Sequence, residues 1–173
     1  SVWAGFMLDD STGYIGLSQF MATSTKELDN ALDKLEAKGM TRLIFDLRGN
    51  SGGRLSQAVS IADRFIPGNN PIVSRRGRNS DMDTVYTSTD AVTHNGFSLI
   101  VLINSGSASA SEIVAGAIQD LDIGLVVGTK SFGKGLVQYP YRLRDGSVIR
   151  LSTAHWYTPS GRLVQRPYDK GRG

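Results

Sequence analysis

The sequence predicts a layered α/β domain whose C-terminal part is rich in β-hairpins. Short apolar strands alternate with amphipathic helices. A strand-turn-helix pattern occurs twice, and its two strands are residues 43–45 and 99–103. Asp145 and Gly146, between two strand-like segments, form a dipeptide typical of a tight hairpin turn. Because the chain has 173 residues, of which 40% are hydrophobic, it can bury one core of ordinary size, and we expect a single domain over residues 1–173.

The first predicted elements are two strands and a helix. Apolar residues 2–8 and 14–17 flank a turn-forming segment, which indicates paired strands. Ser24 and Glu27 have the spacing of a capping box, and this favours a helix for which Ser24 is the N-cap. The helix carries leucines at helical spacing and is expected to end near Gly39.

The first strand-turn-helix unit begins with a buried strand over residues 43–45. A glycine-rich loop over residues 46–53 follows it, and then a second amphipathic helix over residues 55–65. Residues 67–96 are richer in Pro, Gly, Asn and Asp and are expected to form the most irregular part of the chain. Two short strands are predicted within them, at residues 72–73 and 85–86.

The second strand-turn-helix unit consists of a strand over residues 99–103, a serine-rich turn and a third helix, whose buried stripe runs from Ile113 to Leu121. A strand follows at residues 125–127. The final hairpin is predicted from the apolar segments 137–143 and 148–153.

Composition argues against several classes of function. The 19 basic and 16 acidic residues leave a net charge of only +3, without a basic stripe interleaved with aromatic residues, so we expect no nucleic-acid partner. There is no cysteine for a disulfide or a thiolate metal site, and neither His94 nor His155 lies in a metal-ligand pattern, so we expect no metal site. No apolar run reaches the length of a membrane span, and no signal peptide is present.

Ser109 is a candidate nucleophile in the serine-rich turn. It would stand at the start of a helix, where unpaired backbone N–H groups and the helix dipole favour a developing negative charge. Small neighbours, Gly106, Ala108 and Ala110, would allow a sharp turn that exposes the hydroxyl group. A purely structural interpretation stands beside this one, because Ser109 and Glu112 also have the spacing of a capping box.

Lys134 is the candidate base, 25 residues after Ser109. A lysine takes a proton from a serine hydroxyl only when it is neutral, which requires the reference pKa of lysine, about 10.4, to fall by roughly three units through burial. Gly133 and Gly135 flank Lys134 and would let the backbone pack closely and draw the side chain away from water. The alternative is an ordinary surface lysine.

The glycine-rich loop after the first buried strand offers further candidates. Gly52 and Gly53 could present backbone N–H donors to an oxyanion, although glycines are also common in turns. Asp46 and Arg48 could orient a substrate, but a charged pair at a strand end more often ties its loop to the scaffold, and we favour that interpretation.

Five blocks of sequence, in this order along the chain, resemble the catalytic domain of the C-terminal processing peptidases, also called tail-specific proteases. The resemblance extends over nearly the whole chain. The blocks are residues 13–20, 43–53, 101–113, 127–135 with Gln138, and 157–161. The resemblance implies a fold made of a spiral of ββα units, which is shared with the crotonase and Clp protease superfamily.

The resemblance also implies roles for individual residues. Ser109 matches the family's nucleophile and Lys134 its general base, while Gln138 matches a glutamine that holds the lysine in some members. Glu112 matches an acidic position near the serine. Because four residues of extended strand span about 13 Å, Lys134 and Gln138 meet only if the chain bends near Gly135.

The oxyanion hole implied by the resemblance consists of the backbone N–H of Ala110 and that of one glycine from the pair Gly52 and Gly53. The implied function is a serine endopeptidase that cleaves proteins near their C-termini through an acyl-enzyme. A catalytically inactive peptide-binding scaffold is the alternative. Acyl-coenzyme A chemistry is a third, which rests on fold analogy alone.

The implied partners are the C-terminal tail of a protein substrate and a PDZ domain that captures this tail. Since family members usually carry that domain ahead of this region and none precedes Ser1, we expect residues 1–173 to be a fragment whose activity depends on missing segments. The resemblance implies a periplasmic or cell-envelope location, although the 173 residues contain no localisation signal.

Overall fold

Two β-sheets and three α-helices make up the described part of this computed structural model, which comprises residues 1–78, 80–89, 91 and 94–167. In spatial order, the first sheet contains β1 (Val2–Met7), β2 (Thr12–Leu17), β3 (Arg42–Asp46), β6 (Ser98–Ile103) and β7 (Leu125–Gly128). The second contains β5 (Thr84–Thr87), β4 (Pro71–Gly77), β9 (Val148–Tyr157) and β8 (Leu136–Arg142). The helices are α1 (Ser24–Glu36), α2 (Leu55–Asp63) and α3 (Ala110–Asp120), and a short 3₁₀ turn covers Ser80–Met82.

This arrangement confirms the predicted layered α/β fold and the C-terminal hairpin. Strands β8 and β9 pair antiparallel around the turn at Asp145 and Gly146, and β4 pairs antiparallel with both β5 and β9. The predicted second helix is shorter than expected, because α2 ends at Asp63 rather than at residue 65.

The predicted capping box at Ser24 is wrong. Thr23 is the N-cap of α1, and Ser24 already belongs to the helix. The hydroxyl group of Ser24 accepts a hydrogen bond from the Met21 N–H at 2.7 Å and donates one to the Gln19 carbonyl at 3.1 Å, so it fixes the approach to the helix instead of capping it. The carboxylate of Glu27 is held by Thr23 Oγ1 at 2.6 Å.

The core lies between the first sheet and the helices. Apolar side chains of β2, β3 and β6 are fully or almost fully buried against α1, α2 and α3, and α3 is buried from Ala110 to Ile118. Helix α2 packs against α1 and α3, while α3 also contacts β4 of the second sheet. Within the described residues, no helix is both long enough and apolar enough to cross a membrane.

The order of the parallel strands determines where the functional loops meet. Strands β3 and β6 are neighbours and run parallel, with Asp46 opposite Leu102. Because the carboxyl ends of parallel strands lie at the same edge of a sheet, the loop from Leu47 to Arg54 and the turn from Asn104 to Ser109 emerge side by side. The two strand-turn-helix units therefore form one site.

Gly128 shows how closely the strands of the first sheet approach one another. It has a φ of 138°, and a Cβ atom built on it would collide with the backbone oxygen of Ile103 in the neighbouring strand. Gly39, after α1, also has a positive φ, of 88°, but nothing lies within 4 Å of the place its Cβ would take. A side chain at Gly39 would therefore meet backbone strain alone, whereas a side chain at Gly128 would meet both backbone strain and a steric conflict.

We expect Gly39→Ala to lower the free energy of unfolding by about 1 kcal/mol, which is the cost of a positive φ for a residue with a Cβ atom. Gly128→Ala should lower it by at least about 2 kcal/mol, because the β6–β7 pair must also separate. Urea denaturation of both variants measures the difference, and equal losses would contradict this account of the sheet.

Candidate active site

Asn50 joins the two loops that emerge from the first sheet. Its side chain is fully buried, donates to the Leu17 carbonyl at 2.8 Å and accepts from the Gly52 N–H at 2.9 Å. Its backbone carbonyl accepts from the Ala108 N–H at 3.0 Å and from the Ser111 hydroxyl at 2.8 Å. One residue therefore connects the end of β2, the glycine-rich loop and the serine-rich turn.

Asn104 and Ser107 make a second connection between the same loops. The side-chain oxygen of Asn104 accepts from the N–H groups of Gly49 and Gly106, both at 2.9 Å. Ser107 is fully buried and donates to the Leu47 carbonyl at 2.7 Å. These residues and Asn50 leave no local pattern in the sequence, because their partners lie up to 61 residues away.

Ser109 occupies a strained backbone conformation at the start of α3. It is half-buried, with φ 55° and ψ −110°. Such a conformation is uncommon for a residue with a Cβ atom, and strain of this kind concentrates at functional sites. Gly52 packs against the turn so closely that a Cβ on it would lie 2.8 Å from both Ser109 Cβ and the Ala108 oxygen.

The capping interpretation of Ser109 is confirmed, but it does not account for this conformation. The capping box with Glu112 is present, and the Glu112 carboxylate accepts from the Ser109 N–H at 2.8 Å. An ordinary N-cap residue has extended backbone angles, whereas Ser109 has a positive φ. The cap therefore coexists with a sharp, strained turn of the type that presents a nucleophile.

The carboxylate of Glu112 links the serine turn to the segment that carries Lys134. It is only 7% exposed. One oxygen accepts from the N–H groups of Ser109 and Lys134, both at 2.8 Å, and the other accepts from the Gly133 N–H at 2.6 Å and the Ser131 hydroxyl at 2.7 Å. We call this four-donor arrangement the Glu112 clamp, and it goes well beyond the orienting role expected from sequence.

The glycines that flank Lys134 allow the chain to pack against residues 163–166, which we call the C-terminal strap. The Gly133 carbonyl accepts from the Arg166 N–H at 3.1 Å, and the Gly135 N–H donates to the Gln165 side chain at 2.9 Å. A Cβ on Gly135 would collide with the Gln165 backbone nitrogen, so the close approach requires glycine there. The backbone of Lys134 is thus fixed on both sides.

The expected burial of the Lys134 side chain is wrong for this structure. The close packing involves the backbone and the C-terminal strap, and the side chain of Lys134 is exposed. Within the described part of the chain, its ammonium group makes no hydrogen bond or ion pair. The Glu112 clamp therefore fixes where the lysine side chain begins, while its end remains in solvent.

Gln138 lies at the surface of the second sheet. Its side chain is exposed, and its amide nitrogen is 3.4 Å from Ser152 Oγ. Strand β8 begins only at Leu136, and an irregularity in pairing falls between Val137 and Gln138. The structure does not join Gln138 to Lys134 by a hydrogen bond within the described residues.

The backbone donors beside Ser109 differ in their availability. The Ala110 N–H is at the first helical position of α3, where an α-helix supplies no acceptor. The Gly52 N–H already donates to Asn50, whereas the exposed Gly53 makes no N–H hydrogen bond to the described residues. Of the two glycines expected to offer a donor, Gly53 is the one whose N–H is open.

Asp46 and Arg48 tie their loop to the scaffold, as expected. Asp46 is 4% exposed, and it accepts from the Arg48 guanidinium at 2.6 Å and from the Tyr14 hydroxyl at 2.6 Å. Burial disfavours the ionised form of Asp46, but the hydrogen bonds from Arg48 and Tyr14 outweigh it, so the pKa of this carboxyl lies below its ordinary value. Burial and the adjacent Asp46 carboxylate raise the pKa of the Tyr14 hydroxyl.

Neither histidine belongs to the site. His94 is buried, with its Nδ1 3.0 Å from a Glu36 carboxylate oxygen, and His155 lies on β9. One potential metal-ligand atom from each of Asp33, Glu36 and His94 lies within 4.8 Å of the others, a grouping that the sequence pattern did not indicate. Because the histidine nitrogen is already engaged by Glu36, we interpret the group as a contact between α1 and the segment at His94.

Comparison with known proteins gives consistent matches over this fold. The model of peptidase family S41 matches residues 11–168. A carboxyl-terminal-processing protease of Synechocystis sp. is 43% identical, over 88% of this chain and 36% of that protein. A carboxy-terminal-processing protease of Bartonella bacilliformis is 40% identical, over 92% of this chain and 38% of that protein.

A solved structure of a photosystem II D1 C-terminal processing protease also matches this chain. It superposes with a TM-score of 0.83 at 32% identity, over 89% of this chain and 39% of that one. The chain therefore spans less than two fifths of the length of each of these three proteins.

We expect Asn50→Ala to lower the free energy of unfolding by about 2 to 4 kcal/mol, because the buried Leu17 carbonyl and Gly52 N–H both lose their partner. Asn30→Ala is the matched control, since Asn30 is exposed in α1 and its replacement should change stability by less than about 0.5 kcal/mol. Chemical denaturation of both variants checks this. An Asn50→Ala variant as stable as the control would refute the connecting role of Asn50.

Proposed function

This chain belongs to peptidase family S41, and on that premise we propose that it is the catalytic part of a serine endopeptidase that cleaves protein substrates near their C-termini. The resemblance found in the sequence is confirmed for the family and for the fold class. The observation that carries the proposal is the Glu112 clamp. A single carboxylate accepts hydrogen bonds from the backbone of both Ser109 and Lys134, and this supports their action as one unit.

In the proposed first half-reaction, Ser109 Oγ attacks the carbonyl carbon of the scissile peptide bond, and the Lys134 amino group takes the hydroxyl proton. The carbonyl oxygen becomes an oxyanion, which the N–H groups of Ala110 and Gly53 stabilise. When this intermediate collapses, the C–N bond breaks and the leaving amine receives the proton from Lys134. The substrate remains attached to Ser109 as an ester.

In the second half-reaction, a water molecule attacks the ester carbonyl carbon while Lys134 takes a proton from the water. The carbon–oxygen bond to Ser109 then breaks, and the proton returns to Ser109 Oγ. A carboxylic acid product is released. In each half-reaction Lys134 takes up one proton and later releases it. The proposed chemistry therefore requires neither a metal nor an organic cofactor.

The exposure of Lys134 requires that something covers it before the reaction. An amine in contact with bulk water at neutral pH is charged and cannot accept a proton. We propose that a substrate segment laid over Lys134 displaces water and favours the neutral amine. Gln138, whose side chain is also exposed, would orient the amine in this covered state.

We also propose the partners and location that the family implies: the C-terminal tail of a protein substrate, a PDZ domain in the whole protein that captures this tail, and the periplasm or cell envelope. The chain spans 36% of its Synechocystis relative, which leaves room for such a domain in a protein of that length.

One observation favours a second candidate, a peptide-binding scaffold without catalysis. The Lys134 ammonium group has no partner within the described residues and lies in solvent, as expected of a lysine with no chemical role. In that case the exposed edge of β8 would pair with an extended peptide, and Ser109 would serve only as a helix cap.

Covalent labelling and cleavage assays on the whole protein separate the two candidates. We expect a fluorophosphonate probe to modify Ser109 and not the Ser109→Ala variant. Ser109→Ala and Lys134→Ala should each reduce cleavage of an unfolded substrate at least about 10³-fold, and the double variant should lose little more, because the two residues act together.

Lys38→Ala is the control for loss of an exposed lysine and should cleave normally. Full activity in either Ser109→Ala or Lys134→Ala would reject the assignment. Peptide binding without labelling or cleavage would establish the scaffold instead.

A further inference from the structure

A cavity of about 330 Å³ adjoins the Glu112 clamp on the side of the C-terminal strap. It lies between α3, β7 and the strap, and Glu112, Ser131 and Gly133 form part of its lining. This volume is within the range of sites that bind small molecules. None of the roles proposed for Ser109 and Lys134 uses this cavity.

Part of the cavity wall is apolar. Ile103 and Val126 contribute from the first sheet, Ala115 from α3 and Val164 from the strap, and all four are buried or half-buried. An apolar group of a ligand would lose its contact with water there, and this is the main source of affinity in such sites.

Positive charge predominates among the ionisable groups that line the cavity. Lys130, Arg162 and Arg166 are all exposed, and the carboxylate of Glu112 already accepts four hydrogen bonds. Arg162 is paired with Asp120 at 2.6 Å, so its charge is compensated.

Two cations therefore remain to face a ligand. The Arg166 guanidinium lies over the Phe132 ring at 4.8 Å, and no carboxylate among the described residues forms an ion pair with it. Lys130 makes no ion pair with the described residues. A cavity with an apolar patch and two cations that have no carboxylate partner among the described residues is complementary to an apolar group that carries one negative charge.

We propose that this cavity binds an apolar chain that ends in a carboxylate, either the last residue of a peptide or a short fatty acid. The apolar part would occupy the space between Ala115, Val126 and Val164. The carboxylate would accept charge-assisted hydrogen bonds from Lys130 and Arg166. This binding site is separate from the position beside Ser109 where the peptide bond is proposed to be cleaved.

The strap connects the cavity to Lys134. Val164 and Arg166 line the cavity, and the Arg166 N–H also binds the Gly133 carbonyl beside Lys134. A ligand that displaces or fixes the strap would therefore move or fix the backbone of Lys134. The effect of such a ligand on catalysis rests on the proposed function. The binding of the ligand to the cavity does not depend on that function.

Titration with octanoate, followed by amide chemical shifts in NMR spectra of the chain, tests the site. We expect saturable shifts at Lys130, Ser131, Gly133 and Arg166, and none on α1. Octanamide, which lacks the charge, should bind at least about tenfold more weakly. The absence of saturable shifts, or equal binding of the amide, would overturn the proposal without touching the assignment of Ser109.

Two variants test the charges. Lys130→Glu and Arg166→Gln should each weaken octanoate binding roughly tenfold or more, while Lys38→Glu, an exposed lysine beyond α1, should leave it unchanged. Unchanged affinity in both cavity variants would also overturn the proposal, provided that their amide spectra remain those of the folded chain.

The two sources of the ligand are distinguished with acetyl-Ala-Ala-Leu and its C-terminal amide. A peptide acid that binds more tightly than octanoate, and loses its affinity as the amide, identifies the site as one for peptide termini. Octanoate binding without peptide binding identifies it as one for acyl chains.

Discussion

The carboxylate of Glu112 is buried beside the start of α3 and accepts four hydrogen bonds, two on each oxygen. Burial of a carboxylate is unfavourable unless hydrogen bonds replace its hydration, and here backbone N–H groups and one hydroxyl do so, with no ion pair to the carboxylate among the described residues. The position of Glu112 in the first turn of α3 adds the favourable interaction of a negative charge with the helix dipole. Because the donors come from both Ser109 and the segment 131–134, the carboxylate can be satisfied only if these two segments keep one relative position.

The remainder of the site supports this constraint. Parallel strands β3 and β6 bring the glycine-rich loop and the serine turn to one edge, and Asn50 and Asn104 join the two loops by hydrogen bonds to their backbones. Gly52 packs against the strained turn at Ser109, and the C-terminal strap holds the chain on both sides of Lys134. The backbone of the site is therefore held by contacts within the chain itself. The side chain of Lys134 makes no hydrogen bond or ion pair with the part of the chain that the structure describes, and the proposed chemistry requires that a substrate controls it.

The sequence predicted the elements well because their signals are local. Apolar periodicity located the three helices and nearly all strands, and the pair Asp145 and Gly146 located the hairpin. The motif at Ser109 and Glu112 was recognised for the same reason, since the two residues are one helical turn apart. The roles of Asn50 and Ser107 could not be predicted, because side-chain hydrogen bonds to a backbone 33 to 61 residues away impose no spacing on the sequence. The glycines beside Lys134 were interpreted correctly as a sign of close packing, but sequence could not show that the packing partner is the strap and that the lysine side chain points to solvent.

Hydrogen exchange in a Glu112→Gln variant tests the clamp most directly. The amide side chain has the same shape, but it replaces one acceptor oxygen by an NH₂ group that would face two donors. We predict that the backbone amides of Ser109, Gly133 and Lys134 exchange at least tenfold faster in the variant, while those of β3 and β6 keep their protection. Unchanged exchange at all three amides would show that the serine turn and the lysine segment are held together by something other than this carboxylate.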